Sequence, residues 1–408
     1  MALNPTTRDL RRANRRTILK SMLIDGTISR LDVSQRSGLS TGTVTNVINE
    51  LLAEGIVLES GYEASEGGRR RTILTLNPEY GYFLGGEVGE TAIAIELFDL
   101  TLHQIRAIRY PLSQKENNPA QIIQYIVEGV TSLLQESQIS QDKILGMGLG
   151  LPGIVEYTGD EVVSAPAWGW EPVPLKALLS AHVAFPLHTD NGAKTMALAE
   201  MHLNAGSSTE TLAMLQVGTG VSAGIIYEGK LYRGATNSAG EWGHTIMELD
   251  GQHCRCGRRG CLEAYVGAPG IIRHLSELNA NHPLLQIGDE VGTLLALIRI
   301  ARNGDPLATQ VLHDTIHYLG AGVANLLNLF NPRRVIIGGW LGLQLGEFAL
   351  PELLQIIERY ALKQPYEVAE ISLSHLGRDS VSIGAAMLVV EDFFENVGGR
   401  KNVSTSRT

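Results

Sequence analysis

The sequence predicts a mixed α/β protein in two parts, a small helical head at residues 1–76 and a larger body at residues 82–397. Three observations support this fold class. Short amphipathic segments separated by glycines open the chain, and from residue 82 apolar strand patterns alternate with helical ones. All three cysteines then lie close together within residues 240–263. With 408 residues, of which 44% are hydrophobic, the chain can bury more than one core.

The head has the pattern of three helices followed by a hairpin. Apolar periodicity and glycine stops predict helices and strands at 15–23, 30–37, 41–54, 56–60 and 72–76. Ser29 and Ser40 stand where the N-caps of the second and third helices are expected. A loop rich in glycine and arginine joins the two strands. This order predicts a winged helix-turn-helix, a fold that binds double-stranded DNA.

Two groups of head residues are candidates for DNA contact. The start of the third helix offers short polar side chains that let a helix lie close to base edges, namely Ser40, Thr41, Thr43, Thr45 and Asn46. The hairpin tip offers three cations for phosphates or the minor groove, namely Arg69, Arg70 and Arg71. The alternative is a helical module that docks a protein and carries a solvated arginine run.

Charge divides the chain at the same boundary. Residues 1–76 contain eleven Lys and Arg against eight Asp and Glu, whereas the remainder contains 22 against 35. An acidic body would repel a polyanion, so any DNA contact is expected from the head. The first 20 residues have no apolar run, and no segment is long and apolar enough to span a membrane. We therefore expect a cytoplasmic protein.

The cysteines and one histidine form a candidate metal site, with ligands His244, Cys254, Cys256 and Cys261. Three thiolates and one imidazole complete a tetrahedral set for Zn²⁺ and leave no open position for water, which favours one structural zinc per chain. Gly257 and Gly260 allow tight turns between ligands. The alternative is three buried, reduced cysteines and an unrelated histidine.

The body predicts a repeated strand and helix pattern. Strands are expected at 82–88, 92–99, 103–111, 144–151, 186–190 and 334–338, and a strand, glycine turn and strand at 212–224. Helices are expected at 119–136, 193–204, 307–328 and 382–394. The polar tail at 398–408 is expected to be flexible.

Nearly the whole chain resembles the ROK family (repressors, open reading frames and sugar kinases). The motifs that carry the resemblance are 240–244 joined to 254–263, Gly218-Thr219-Gly220, Asp190-Asn191 and 335–339. The resemblance implies two ribonuclease-H-like (actin-like) lobes with a sugar cleft near 190–192 and 240–263. With a winged helix in front, the chain is similar to repressors that respond to xylose, glucose or N-acetylglucosamine.

The same resemblance implies which residues would bind the sugar. These are Asn191, Glu241, His244 and Glu263, with Asp190 beside them. His244 would bind zinc through one ring nitrogen and offer the other to the ligand. Trp168 and Trp170 either cover an apolar sugar face or belong to the core.

Departures from the kinase members of the family argue against enzyme activity. Gly192 aligns with the aspartate that acts as general base in those kinases, and glycine cannot accept a proton. Glu90 and Ala92 replace a glycine and a polar residue of the first phosphate loop. Trp340 is expected to crowd the region where the kinase members bind adenine.

We therefore expect a repressor of carbohydrate-use genes that sugar releases from a palindromic operator, acting as a homodimer or a dimer of dimers. The alternative is a ROK-type ATP-dependent sugar kinase with an added DNA-binding head. A third possibility is a scaffold that meets a transport-system protein through its body.

Overall fold

A computed structural model of the chain describes residues 6–62, 70–112, 116–157, 161–203 and 211–396. Arg69, a candidate for DNA contact, lies outside the described residues, as does the predicted flexible tail at 398–408. Over the described ranges, no helix combines the length and hydropathy needed to cross a membrane.

The head contains three helices and a small antiparallel sheet. Its elements are α1 (Thr7–Asp25), β1 (Ile28–Ser29), α2 (Arg30–Ser37), α3 (Thr41–Ala53), β2 (Val57–Tyr62) and β3 (Thr72–Leu76). The strand order is β1-β3-β2. The hydroxyl of Ser29 accepts from the amide of Asp32 and that of Ser40 from the amide of Thr43, so both predicted N-caps are present. Helix α1 starts earlier than its apolar periodicity predicts, because Thr6 and Asp9 form a capping box.

The body begins with a lobe built on a mixed sheet, here called the first lobe. Its elements are β4 (Tyr82–Val88), β5 (Ala92–Phe98), β6 (Gln104–Pro111), α4 (Pro119–Ser137), β7 (Ile144–Leu151), β8 (Ile154–Glu156), β9 (Val162–Ala165), β10 (Trp170–Val173), α5 (Leu175–Ser180) and β11 (Leu187–Asn191). The described strands of the main sheet follow the order β11-β7-β4-β5-β6. Strands β4, β5 and β6 form an antiparallel meander, whereas β7 and β11 continue the sheet in parallel.

The second lobe repeats this topology. Its elements are α6 (Gly192–Leu203), β12 (Leu212–Val217), β13 (Val221–Tyr227), β14 (Lys230–Leu231), α7 (Glu263–Val266), α8 (Ala268–Leu278), α9 (Glu290–Arg302), α10 (Pro306–Phe330), β15 (Arg334–Gly338), α11 (Trp340–Tyr360), α12 (Lys363–Val368) and β16 (Glu370–Leu373). Its described strands follow the order β14-β13-β12-β15-β16, again a meander extended by two parallel strands.

Two helices lie between the sheets. The last helix, α13 (Ser380–Asn396), packs on β4 and β7 of the first sheet, and α6 packs on β12 and β13 of the second. The two helices also pack on each other. A side chain at Gly384 would place its Cβ 1.7 Å from the carbonyl oxygen of Thr195, so only glycine permits this approach.

The head shares a hydrophobic core with the body. Ile18, Leu19 and Met22 of α1 belong to the same buried cluster as Phe83 of β4 and Phe393 of α13. The boundary is therefore apolar and packed, as expected for a head that is coupled to the body rather than loosely tethered.

Ion pairs surround this boundary. Arg16 lies 2.5 Å from Glu395, and Lys20 lies 3.5 Å from Glu391. Arg15 is buried inside the head, where its guanidinium pairs with Glu50 at 3.1 Å. These three cations of α1 are thus engaged in ion pairs within the protein.

Candidate functional site

The predicted metal ligands lie together. The ligand atoms of His244, Cys254, Cys256 and Cys261 all lie within 4.8 Å of one another. The Nδ1 atom of His244 lies 3.7 Å from the Sγ atom of Cys254, and the Sγ atoms of Cys256 and Cys261 are also 3.7 Å apart. A tetrahedron with Zn–S bonds of about 2.3 Å has edges of roughly 3.7 Å. The donor set and its spacing therefore fit a tetrahedral metal centre.

Tight turns bring these ligands together. His244 ends a short 3₁₀ turn, Trp242–His244, and the amide of Cys254 donates to the carbonyl of Arg258 at 2.8 Å. Gly260 has a φ of 72°, and a Cβ there would lie 1.8 Å from the carbonyl oxygen of Glu248. Glycine is therefore needed at this position, immediately before the last cysteine.

The thiols lie in a partly buried setting. Burial raises the pKa of Cys254 and of Cys261, with the nearby carboxylate of Glu263 acting in the same direction. Thiols in such surroundings stay protonated unless a cation is beside them. Such thiols are weak nucleophiles.

Two carboxylates flank the cysteine cluster. The Oε2 atom of Glu241 lies 3.9 Å from the Nε2 atom of His244, and burial raises the pKa of Glu241 while His244 and Lys194 lower it. Glu263 begins α7, is 7% exposed, and accepts from the amide of Val221 at 2.9 Å. His244 therefore directs one ring nitrogen toward the cysteines and the other toward a carboxylate.

Asn191 lies at the end of β11, where the first lobe passes into α6. Its amide group donates to the carbonyl of Gly153 at 2.8 Å, and its oxygen accepts from the amide of Ala193 at 2.9 Å. The side chain is 8% exposed, and these two hydrogen bonds to the backbone of Gly153 and Ala193 fix its orientation.

Asp190 differs from the expectation that it binds the sugar. It is fully buried and forms an ion pair with Arg233, while Lys194 lies 4.0 Å away and the amide of Asn237 donates to it at 3.1 Å. Its oxygens are thus bound by groups of the protein itself. Of these partners, only Lys194 is close to Asp190 in the sequence, four residues further along on α6. Arg233 and Asn237 are more than 40 residues away, so no local pattern predicts them.

The described candidate DNA residues lie at the start of α3 and just before β3. Ser40, Thr41, Thr45 and Asn46 are exposed at the start of α3, and Thr43 is half-buried with its hydroxyl 2.9 Å from that of Ser40. Arg70 and Arg71 are exposed before β3, and Arg71 also lies 3.9 Å from Asp32 of α2. The start of α3 thus exposes short polar groups, and the chain before β3 exposes two cations.

Comparisons with known proteins identify the family. A sequence model of the ROK family matches residues 83–392, and a model of winged helix-turn-helix DNA-binding domains matches residues 11–57. The chain belongs to the ROK family. The xylose repressor of Caldicellulosiruptor bescii is 30% identical over 388 residues, covering 94% of this chain and 96% of the repressor.

Two further relatives place this ROK protein among regulators and kinases. The glucokinase of Halalkalibacterium halodurans is 32% identical over 314 residues, covering 76% of this chain and 94% of the kinase. A solved ROK family transcriptional regulator, a homolog of the E. coli MLC protein, superposes with a TM-score of 0.77 at 23% identity. That superposition covers 95% of this chain and 98% of the regulator and shows a shared fold of head and body.

The glycine turn of this ROK protein is enclosed by side chains. The turn at Gly218-Thr219-Gly220 joins β12 to β13. The indole of Trp340 lies 3.1 Å from the Cβ position of Gly218, and the carboxylate of Glu90 lies 3.4 Å from that of Gly220. The Cβ position of Gly192 lies 3.4 Å from the side-chain amide of Gln216. Gly192 is the residue that aligns with the general base of the kinase members.

Proposed function

We propose that this ROK protein is a sugar-responsive transcriptional repressor of carbohydrate-use genes. The observation that carries the proposal is the hydrophobic core that the winged head shares with the ROK body. A head that is packed into the body can respond to a change in it, whereas a tethered head cannot. The xylose repressor relative spans both parts, which makes xylose the first sugar to test.

The head would bind the operator through α3. Ser40, Thr41, Thr43, Thr45 and Asn46 would face base edges in the major groove, and Arg69, Arg70 and Arg71 would contact phosphates or the minor groove. Two heads related by a two-fold axis, in a homodimer or a dimer of dimers, would match a palindromic operator. Its half-sites would be spaced by roughly 10 base pairs or a multiple of that length.

The cleft would bind the sugar through Glu241, His244, Glu263 and Asn191. Carboxylates and amides pair with hydroxyl groups as acceptors and donors. The proposal is supported by the 3.9 Å contact between Glu241 and His244 and by the position of Asn191 at the end of β11. The buried network around Asp190 would fix the floor beneath them.

We further propose that His244, Cys254, Cys256 and Cys261 hold one structural zinc per chain. Bound zinc supplies four coordinate bonds that tie the loop together and no catalytic step. The protein's own contribution is to orient His244, and with it Glu241, toward the cleft.

A continuous path joins the cleft to the head. Helix α6 begins beside Asn191, and its far end carries His202, which lies 3.1 Å from Glu391 of α13. Glu391 in turn lies 3.5 Å from Lys20 of α1. Sugar binding would shift α6, and through His202 and Glu391 it would shift α13 and α1. The sugar can weaken DNA binding only by the difference between the sugar's affinities for the free and the operator-bound protein.

The glucokinase relative gives the alternative function a specific basis. A coupled assay with ATP and a panel of pentoses and hexoses separates the two. We expect no turnover, because Gly192 offers no base and Glu90 occupies the phosphate loop. Sugar-dependent ATP consumption at rates typical of kinases would favour the enzyme.

The repressor proposal is tested by operator release. An operator is first selected from random duplexes with the full-length protein, and its binding is then titrated against the sugar panel. We expect one sugar to lower operator affinity, and Glu241→Gln to abolish that response without abolishing DNA binding. Glu136→Gln, in an exposed ion pair far from the cleft, is the control. The proposal fails if no sugar shifts the operator curve.

A further inference from the structure

An ion pair joins the two lobes across the cleft. Glu90 lies in the turn between β4 and β5 of the first lobe, and Arg255 lies in the cysteine loop of the second. The contact is bidentate, with Nη1 to Oε2 at 2.7 Å and Nη2 to Oε1 at 3.2 Å. The side chains are 21% and 27% exposed. A two-pronged, half-buried guanidinium–carboxylate pair is far more specific in geometry than an ordinary surface ion pair.

Arg255 is also anchored on the glycine turn of its own lobe. Its Nη2 atom donates to the carbonyl of Thr219 at 3.0 Å and lies 3.5 Å from Glu263. The carboxylate of Glu90 is thereby held against Gly220, whose Cβ position is 3.4 Å from it. The first lobe's turn and the second lobe's turn thus meet through one carboxylate and one guanidinium.

The glycine turn presents groups of the kind that bind phosphate. Thr219 is 5% exposed, and the carboxylate of Glu290 lies close to its hydroxyl. Among the described atoms, the buried Nε atom of Arg255 has no hydrogen-bond partner. A hydroxyl, a guanidinium and a glycine turn are groups that bind phosphate oxygens. Glu90 satisfies only part of them.

We propose that the Glu90–Arg255 ion pair is an inter-lobe latch that places a carboxylate where a nucleotide phosphate would otherwise bridge the lobes. The latch lets the lobes approach each other without nucleotide. It also excludes polyphosphate, since the carboxylates of Glu90 and Glu263 both lie beside the turn. The latch lies within the body alone, so its test does not depend on operator binding.

Hydrogen exchange on the full-length protein tests the latch. Glu90→Gln keeps the shape of the side chain but removes its charge. We expect amide exchange to rise roughly tenfold at 89–91 and 218–220. At 89–91, Arg255→Gln should add little in the double variant, because both changes break the same contact with Glu90. Glu136→Gln is the matched control, because its pair with Arg106 has the same 2.7 Å separation but lies within the first lobe.

Pyrophosphate binding tests the second half of the proposal. Magnesium pyrophosphate is titrated calorimetrically, because it lacks the base that Trp340 would obstruct, and magnesium alone is the blank. We expect Glu90→Gly to bind it at least tenfold more tightly than the wild type, and Arg255→Gln to remove the gain. The proposal is overturned if Glu90→Gln leaves amide exchange unchanged. It is also overturned if the wild type and Glu90→Gly bind pyrophosphate equally well, or if neither binds it.

Discussion

Glu391 of α13 contacts two other helices through one oxygen. Its Oε1 atom lies 3.1 Å from Nε2 of His202 on α6 and 3.5 Å from Nζ of Lys20 on α1. Although burial raises the pKa of Glu391, the hydrogen bond and charge of His202 and the charges of Lys20 and Arg16 outweigh it and lower the pKa to about 2. Glu391 thus links the helix that begins at the cleft with the helix that carries the head.

Replacing Glu391 by Gln should weaken the attachment of the head. We expect a loss of about 1 kcal/mol at pH 7, since a partly exposed charged contact contributes about that much. The folded pKa lies below the unfolded one, so this contribution is complete above about pH 4.5 and is lost as the pH falls toward 2. Urea unfolding at pH 7, 5 and 3 measures it. Glu395→Gln, at the exposed pair with Arg16, should cost less. An equal loss at pH 7 and 3 would contradict the assignment.

Glu96 should make the protein less stable as pH rises. Burial raises its pKa to about 7, although the hydroxyl of Ser382 donates to it at 2.7 Å and acts in the opposite direction. Because the folded pKa exceeds the unfolded one, the stabilisation is complete below about pH 4.5 and is lost as the pH rises through 7.

The variant Glu96→Gln mimics the neutral acid and should remove that loss. Relative to the wild type, we expect it to gain on the order of 2 kcal/mol between pH 5 and pH 8. Denaturant unfolding at the two pH values measures the change. Burial also raises the pKa of Glu87 to about 7. Glu87 is present in both proteins, so its own contribution to the pH dependence is common to both. A constant difference between the two proteins at both pH values would count against a buried neutral Glu96.

Loss of a metal ligand should destabilise the second lobe. Elemental analysis should find one zinc per chain, and Cys256→Ser should lose the metal and lower Tm by several degrees, because structural zinc supplies on the order of several kcal/mol. Cys256→His restores a nitrogen ligand and should recover part of both signals. A wild-type protein that contains no metal, or whose Tm ignores a strong chelator, would refute the zinc proposal.

Two head variants should affect DNA binding differently. Asn46→Ala should relax sequence preference and cost about 1–3 kcal/mol at one base position, since it removes a candidate base contact. Arg70→Ala should weaken binding to all sequences and reduce the slope of affinity against salt by about one. Fluorescence anisotropy on selected and scrambled duplexes measures both. Arg8→Ala, on the exposed start of α1, is the control. Arg70 is not a phosphate contact if its salt slope equals that of the control.

Several elements escaped prediction from sequence for identifiable reasons. Strand β1 has two residues, too few to show a period. Helix α11 consists of two helical segments that meet at a kink, where Ala349 has a non-helical backbone. Pro351, a residue that sequence patterns treat as a stop, lies just after the kink. The short strands β8 to β10 form their own small sheet at the edge of the first lobe, where no long apolar run marks them.

The sequence by itself determined the features that depend on neighbouring residues. The N-caps at Ser29 and Ser40, and the cluster of His244 with the three cysteines, each lie within a short segment, so composition and spacing were sufficient to predict them. Only the tertiary structure decided that Glu90 forms an ion pair with Arg255 and that Asp190 forms one with Arg233. Such pairs join residues far apart in the chain, and their charges interact only because the fold excludes water from a place that no local pattern specifies.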